Sequence, residues 1–394
     1  LTKEKMLTGR KVKLLGIMSG TSLDGIDIAL VEMEENNFQE YELKAFYSFP
    51  MPEGLGKKIL KASSPETGDV SLICELNFAL GHLYAECVRT LLEKEGLKPE
   101  EIDLIGCHGQ TIYHLPRHEV PSTLQIGEAG VLTEKTGITT ISNFRSRDIA
   151  AGGEGAPIVP FVDHLLFGGS GKNIVLQNIG GIGNFTYLPA SGDLERVIAT
   201  DTGPGNMMID TAVKILTEGR DTFDSDGKRA AKGRVNQDLL QEMMTHPFLQ
   251  RNVPKSTGRE DFGQPLVEKH LDRSRELGLG DDDFLATLTA FTARSIAQTC
   301  RKFVLERDLM VDEFIVSGGG SFNPTLMAML QRELGEIPCR SYQELGHNSE
   351  AKEAVAMAIL AYCSFEKVAN NVPGATGAKS RVIMGDITPG RVWP

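Results

Sequence analysis

One pattern occurs twice in this chain and limits its fold more than any single motif does. In the first half, an apolar run at residues 14–18 enters a turn of Ser19, Gly20, Thr21, Ser22, Asp24 and Gly25, and a second apolar run at 26–31 leaves it. Residues 41–49 alternate as a third strand. Helical spacing follows at 53–62 and 69–95, and a short strand at 103–107 runs into His108, Gly109, Gln110 and Thr111. The second half repeats this order. A strand at 173–179, a glycine turn at 180–184 and strands at 185–188 and 196–200 lead to Asp201-Thr-Gly-Pro-Gly-Asn206 and a helix at 207–216. After further helices, the longest at about 282–307, a strand at 313–316 ends in Ser317-Gly-Gly-Gly-Ser321, and Asn323-Pro324 starts another helix. Two copies of three strands, helix and strand predict an α/β protein with one mixed sheet per domain. A cleft between the copies, with a glycine turn from each facing the other, suits a nucleotide held between two phosphate loops and closed by hinge motion.

The expected division is residues 1–142 with a C-terminal helix at about 349–366, then 143–348, then an exposed Gly/Pro-punctuated tail at 367–394. Residues 143–157, rich in Gly and Ala and bearing two arginines, read as a connection between domains. Ala354, Ala358 and Ala361 give the C-terminal helix a small-residue face for close packing across the domains. A length of 394 residues supports two domains. The formal charge of −12 is spread along the chain with no basic stripe, which excludes nucleic acid as an expected partner. No apolar run approaches the roughly 20 residues of a membrane span, and no signal peptide is visible, so a cytoplasmic location is expected. The six cysteines form no C-x-x-C pair and are expected as buried, reduced thiols.

In the first turn, glycines let a ligand approach the backbone. Ser and Thr hydroxyls and N–H groups can wrap an anion, while Asp24 and Asp27 can hold a divalent metal. An ordinary Gly-rich hairpin is the alternative. Asp201 is either a carboxylate presented beside an anion-binding helix terminus or a helix cap. Gly318, Gly319 and Gly320 are either a plain tight turn or a surface against which a purine lies flat. Arg145, Arg147 and Asp148 are either solvated charge or a fork for carboxylate or phosphate. His108, His114 and His118 have no familiar ligand spacing and are not taken as a metal site. No G-x-x-x-x-G-K-[ST], G-x-G-x-x-G after the first strand or G-x-S-x-G is present, which removes Walker-type, Rossmann and α/β-hydrolase readings.

Six segments together resemble the anhydro-N-acetylmuramic acid kinase family: Gly16-Ile-Met-Ser-Gly-Thr-Ser-Leu-Asp-Gly-Ile-Asp27, Cys107-His-Gly-Gln-Thr111, Asn143 to Pro157, Asn178-Ile-Gly-Gly-Ile-Gly-Asn184, Asp201-Thr-Gly-Pro-Gly-Asn206 and Ser317-Gly-Gly-Gly320. The resemblance implies duplicated RNase H-like domains of the sugar kinase, Hsp70 and actin superfold. It also implies an enzyme that opens the 1,6-anhydro ring of its amino-sugar substrate and phosphorylates O6 with ATP and Mg2+, in peptidoglycan recycling. By this resemblance Gly20, Thr21, Ser22, Leu23, Asp24, Gly25, Ile26 and Asp27 cradle phosphate, with Asp24 the metal-side carboxylate. Gly180, Gly181, Gly203, Gly205 and Asn206 form the second phosphate loop, and Gly318 to Gly320 lie against adenosine. His108, Gly109, Gln110, Thr111, Arg145, Arg147, Asp148 and Glu350 face the sugar, and Asp201 is the general base. A homodimer is compatible with all of this. An ordinary sugar kinase without ring opening, or a nucleotide-driven chaperone or filament protein, are the alternatives.

Overall fold

In the computed structural model, residues 9–20, 23, 25–253 and 255–391 are described, and the chain divides into two units, Leu1–Leu166 with Ala351–Pro394, and Phe167–Glu350. In the first unit β1 (Lys11–Ser19), β2 (Gly25–Glu34) and β3 (Glu42–Pro50) form an antiparallel meander. On the other side of β1, β4 (Leu104–Leu115) pairs in parallel; it hairpins through β5 (Ser122–Ile126) and is followed by the parallel β6 (Thr140–Ser142). The sheet order is therefore β3-β2-β1-β4-β6.

The apolar runs of β1 and β4 are buried on both faces because helices cover each side. Leu15, Ile17, Ile105 and Cys107 pack toward α2 (Val70–Glu95), which follows α1 (Glu53–Ala62) and presents Leu76, Leu80, Tyr84 and Val88. Asp69 caps α2 by accepting from the Leu72 amide, and Gly96 closes it in the left-handed conformation. The opposite face carries the helix Lys352–Phe365. Gly16 and Gly106 are register partners there, and a Cβ on them would lie 1.8 Å from the Ala354 carbonyl oxygen and 2.1 Å from that of Met357. The small-residue face of this helix thus packs on the first unit's own sheet, not across domains as expected. Helix and strand backbones touch where both chains lack bulk.

Three other expectations change. The helix expected from Gln125 is strand β5, and α3 (Ala129–Thr136) begins after Glu128, whose carboxylate caps the Gly130 amide. Residues 143–166, which hold α4 (Ser146–Ala150) and all but the last residue of α5 (Pro160–Phe167), belong to the first unit rather than linking the two. The segment after residue 366 is no exposed tail: β12 (Asp386–Thr388) pairs antiparallel with β6, and Asn370, Asn371 and Met384 are buried. Asn370 bonds the Leu360 carbonyl and the Met384 amide, so side-chain polarity that suggested solvent instead satisfies the backbone.

The second unit repeats the order. β7 (Ile174–Ile179), β8 (Ile182–Leu188) and β9 (Ile198–Pro204) form the meander, and β10 (Glu313–Ser317) and β11 (Cys339–Ser341) extend it in parallel, giving β9-β8-β7-β10-β11. The same order and strand directions in both units are the duplicated mixed sheet of the sugar kinase, Hsp70 and actin superfold. The helix Asp281–Phe303 is buried along almost its whole length and organises this unit's core. β9 runs further than expected, so Asp201 lies within the strand, opposite Asn184. A register shift at Gly183/Asn184 and the positive φ of Gly203 (129°) carry the strand on past it.

Candidate active site

In the second unit, three elements converge on the glycine turns. The Gly180-Gly181 turn joins β7 to β8; the Gly180 carbonyl accepts from the Asn206 amide (2.7 Å), and that of Gly181 accepts from Gly205 (2.9 Å) and Met207 (3.1 Å). The amides of Gly205, of the cap residue Asn206 and of Met207, the first residue of α6 (Met207–Leu216), are therefore taken by the turn.

The glycines divide by what excludes a side chain. A Cβ on Gly205 would lie 2.2 Å from the Gly180 carbonyl oxygen, and one on Gly320 would lie 2.3 Å from the Ile179 side chain. Gly318 has φ 81° and would meet Asn178. These three are required by the fold. At Gly180 and Gly181 the nearest atoms stand 3.7 Å and 3.5 Å away, and at Gly319 3.4 Å, with ordinary backbone at all three. Among the described residues nothing excludes a side chain at these three positions, so the backbone there is open to close approach.

Asp201 stands on β9 opposite Asn184 of β8. Its amide donates to the Lys255 carbonyl (3.1 Å), and its Oδ2 accepts from the Thr257 amide (2.9 Å). Oδ1 takes no hydrogen bond among the described residues. Burial pushes the carboxyl up to about 7, against the opposing effects of the Thr257 bond and the Lys255 charge. An aspartate with one oxygen pinned, one free and a proton affinity near neutrality is suited to general-base work.

In the first unit the loop after β1 begins at Gly20. Thr21, Ser22 and Asp24 lie outside the described residues. Leu23 adopts φ 61° and donates to the Gly20 carbonyl. Gly25 and Ile26 open β2, Ile26 in the core; a Cβ on Gly25 would crowd the Phe49 carbonyl at 2.8 Å. Asp27 sits on β2 opposite Met18. Gln110, buried, accepts from Ser19 Oγ (2.5 Å) and donates to the Gly20 carbonyl (3.2 Å), so it braces the root of the loop. Gly109 needs its positive φ of 74°, and Thr111 accepts from Gln125.

His108 and Arg145 form one unit of structure. The Arg145 Nε donates to His108 Nε2 (2.9 Å), which fixes the proton on Nδ1, bonded to the Gly109 carbonyl (2.7 Å). Burial, and then the Arg145 charge, depress His108 to about 3, so it is neutral. Burial also lowers Arg145 to about 10, opposed by Glu353 and Asp148. A second guanidinium nitrogen of Arg145 donates to the Gly155 carbonyl. Arg147 is exposed. Asp148 is fully buried: one oxygen accepts from the Gly155 amide, and the other from Asn371 and Thr376, each at 2.8 Å.

Glu350 is exposed at the last position of the second unit. The acid that senses Arg145 is Glu353, three residues on, which sequence reasoning missed. It reaches solvent yet is crowded by protein. That burial lifts its carboxyl, Lys352 and Arg145 oppose the lift, and Asp27 adds to it. The available signal was a Lys-Glu pair on an otherwise apolar helix; Lys352 is accounted for by its ion pair with Asp163 (3.0 Å), leaving Glu353 turned elsewhere. Lys255 and Thr257 were also missed, and no pattern in the sequence marks them.

The profile of the anhydro-N-acetylmuramic acid kinase family matches residues 12–390. A kinase of that name from Caldanaerobacter subterraneus subsp. tengcongensis is 47% identical over 382 residues, covering 95% of this chain and 96% of the relative. The chain belongs to the anhydro-N-acetylmuramic acid kinase family. The Bacillus thuringiensis subsp. konkukian member is 45% identical over 381 residues, covering 95% and 98% of the two chains. Among solved structures, component A of the Acidaminococcus fermentans (R)-2-hydroxyglutaryl-CoA dehydratase aligns over 90% of this chain and 100% of its own, at 13% identity and a TM-score of 0.44. As a member of the anhydro-N-acetylmuramic acid kinase family, the chain is an enzyme, a phosphotransferase with an alcohol-group acceptor. Among the described residues no helix is long and apolar enough to cross a membrane.

Proposed function

We propose that this enzyme uses water and ATP to convert anhydro-N-acetylmuramic acid to N-acetylmuramic acid 6-phosphate, a step of cell-wall recycling, with Asp201 as the general base. Asp201 takes the proton of a water molecule as the water oxygen bonds to C1. The C1–O6 bond breaks, O6 attacks the γ-phosphorus, and ADP leaves. Because the departing O6 is itself the phosphoryl acceptor, no separate acid has to protonate it. The observation that carries this reading is the Asp201 carboxyl, with Oδ2 held by Thr257, Oδ1 without a hydrogen bond among the described residues, and its affinity raised to about 7. A carboxylate there also stabilises positive charge developing on the sugar ring.

The three glycines whose Cβ positions are open, Gly180, Gly181 and Gly319, support ATP phosphates and ribose lying against that backbone. Arg145, aligned by His108, offers its guanidinium to the substrate's carboxylate, and Glu353 supplies an acceptor for a sugar hydroxyl. Gln110 and Asp148 position these groups and the first loop. Mg2+ takes only one or two protein carboxylates, filling its other positions with water and phosphate oxygens. A metal arriving with the nucleotide therefore needs no more than such a carboxylate from the chain. Asp24 would hold it, and the ion would neutralise phosphate charge.

The test is mass spectrometry of the product formed with ATP in 18O-labelled water. A gain of water plus phosphoryl, with one label on C1, is expected. A gain of phosphoryl alone identifies a kinase that leaves the ring closed.

A further inference from the structure

Lys255 is a buried lysine with no carboxylate within ion-pair distance among the described residues. It is 4% exposed; its Nζ donates to the Phe248 carbonyl (3.3 Å) and lies 4.3 Å and 5.5 Å from the ring centroids of Phe248 and Phe303. An ammonium drawn into such a place costs free energy unless something draws on its charge. Its own backbone shows what is next to it. The Lys255 carbonyl accepts from the Asp201 amide and the Thr200 hydroxyl, the Lys255 amide donates back to that hydroxyl, and two residues on, Thr257 pins Asp201 Oδ2. Residues 255–257 are thus a strap laid along β9 at the proposed base. Farther on, Thr257 Oγ1 donates to Asp261, which also pairs with Arg251.

We propose that Lys255 is a positioning residue for the general base: the strap that aims Asp201 also carries a buried positive charge, which favours the carboxylate form that accepts a proton. The proposal rests on the reading of Asp201 as that base. Asp201 is affected by Lys255 and, in the opposite sense, by Glu260; Lys255 is affected by Asp201 and, in the opposite sense, by Lys302 and Arg251. Burial first, and then Lys302, lower Lys255 to about 8, so the ammonium persists through neutral pH.

Lys255→Met removes the charge and keeps the stem. Its effect is read on the acidic limb of kcat/KM for the anhydro sugar, measured by ADP release at saturating ATP. The limb is expected to move upward by about one pH unit, the lower end of what a nearby opposite charge does, giving a loss of about tenfold at pH 6 and recovery at pH 8.5. Lys255→Arg should keep the parent limb. Lys255→Gln, which retains a donor for the Phe248 carbonyl, carries the same expectation as Lys255→Met and replaces it if the methionine variant does not fold. A uniform loss at every pH, or an equal shift in the arginine variant, overturns the role of the charge. Asp201→Asn, measured in parallel, separates the two readings. If it retains ring opening, the base assignment itself fails. If it is inactive while the limb of Lys255→Met stays in place, only the Lys255 proposal fails.

Discussion

Replacing Asp201 by Asn should cost activity and gain stability, and both effects should depend on pH in a sense fixed by the structure. Burial raises the folded-state carboxyl from 3.8 to about 7. As the proposed base Asp201 works ionised, so at pH 6 only about one tenth of the enzyme should be competent, and kcat/KM should rise roughly tenfold to its plateau above pH 8. An unperturbed carboxylate would give a flat profile over that range. Asn keeps the acceptor for the Thr257 amide but cannot take a proton, and loss of a general base costs about 10²–10⁴-fold. For stability the native state holds this proton more tightly than the unfolded chain does. The group's favourable contribution is therefore complete below pH 4 and is lost as pH rises toward 7. The asymmetry of about three pH units sets a ceiling on the order of 4 kcal/mol, and partial exposure of the side chain lowers what is realised. Asn escapes that loss. Its melting temperature relative to the parent should climb by several degrees between pH 4.5 and pH 8 and level off above it, as read by differential scanning calorimetry. A difference between the two proteins that stays constant across this range would mean that Asp201 is not desolvated, and the argument for its role would go with it.

Arg145→Ala should raise KM for the sugar far more than for ATP, whereas Arg147→Ala, on an exposed side chain, should stay near the parent; equal effects of the two in steady-state kinetics would count against this. Gly181→Ala should fold with the parent's melting temperature and bind ATP more weakly, because its Cβ meets nothing closer than 3.5 Å; Gly205→Ala, facing a carbonyl at 2.2 Å, should lose stability instead, and calorimetry with nucleotide titration separates the two. His108, depressed to about 3, should show no change in its ring NMR shifts from pH 5 to 9, and titration within that range would refute the neutral tautomer.

The repeated order of strands was legible because each half writes it in apolar runs broken by glycine turns, and both sheets follow it. Long-range packing was not legible. Gly16 and Gly106 look like ordinary strand residues until the helix that begins at Lys352 lies across them, and Asn370 and Asn371 look solvated until the backbone they satisfy is in place. Within the candidate site segments, sequence could not rank the residues. Arg145, Arg147 and Asp148 are charged neighbours in one motif, yet one is recessed, one exposed and one buried. What separates them is contact with Gly155 and with residues 371–376, far along the chain.

Asp148 shows what that distinction predicts. Its two oxygens accept three hydrogen bonds, from the Gly155 amide, Asn371 and Thr376. It therefore ties the loop that receives Arg145 to the C-terminal segment. In Asp148→Asn one oxygen becomes a donor, and whichever way the amide turns it faces at least one donor at hydrogen-bond distance. A buried donor left unsatisfied costs about 1–3 kcal/mol. For a unit of this size that is roughly 2–12 °C in melting temperature. Arg145 also loses a stabilising negative charge, so KM for the sugar should rise along with the thermal loss, while KM for ATP holds. The two effects should appear together and be reproduced in weaker form by Thr376→Val, which removes one donor far from the motif in sequence. A variant at parental melting temperature with kcat alone reduced would instead place Asp148 against the substrate, as its motif suggested.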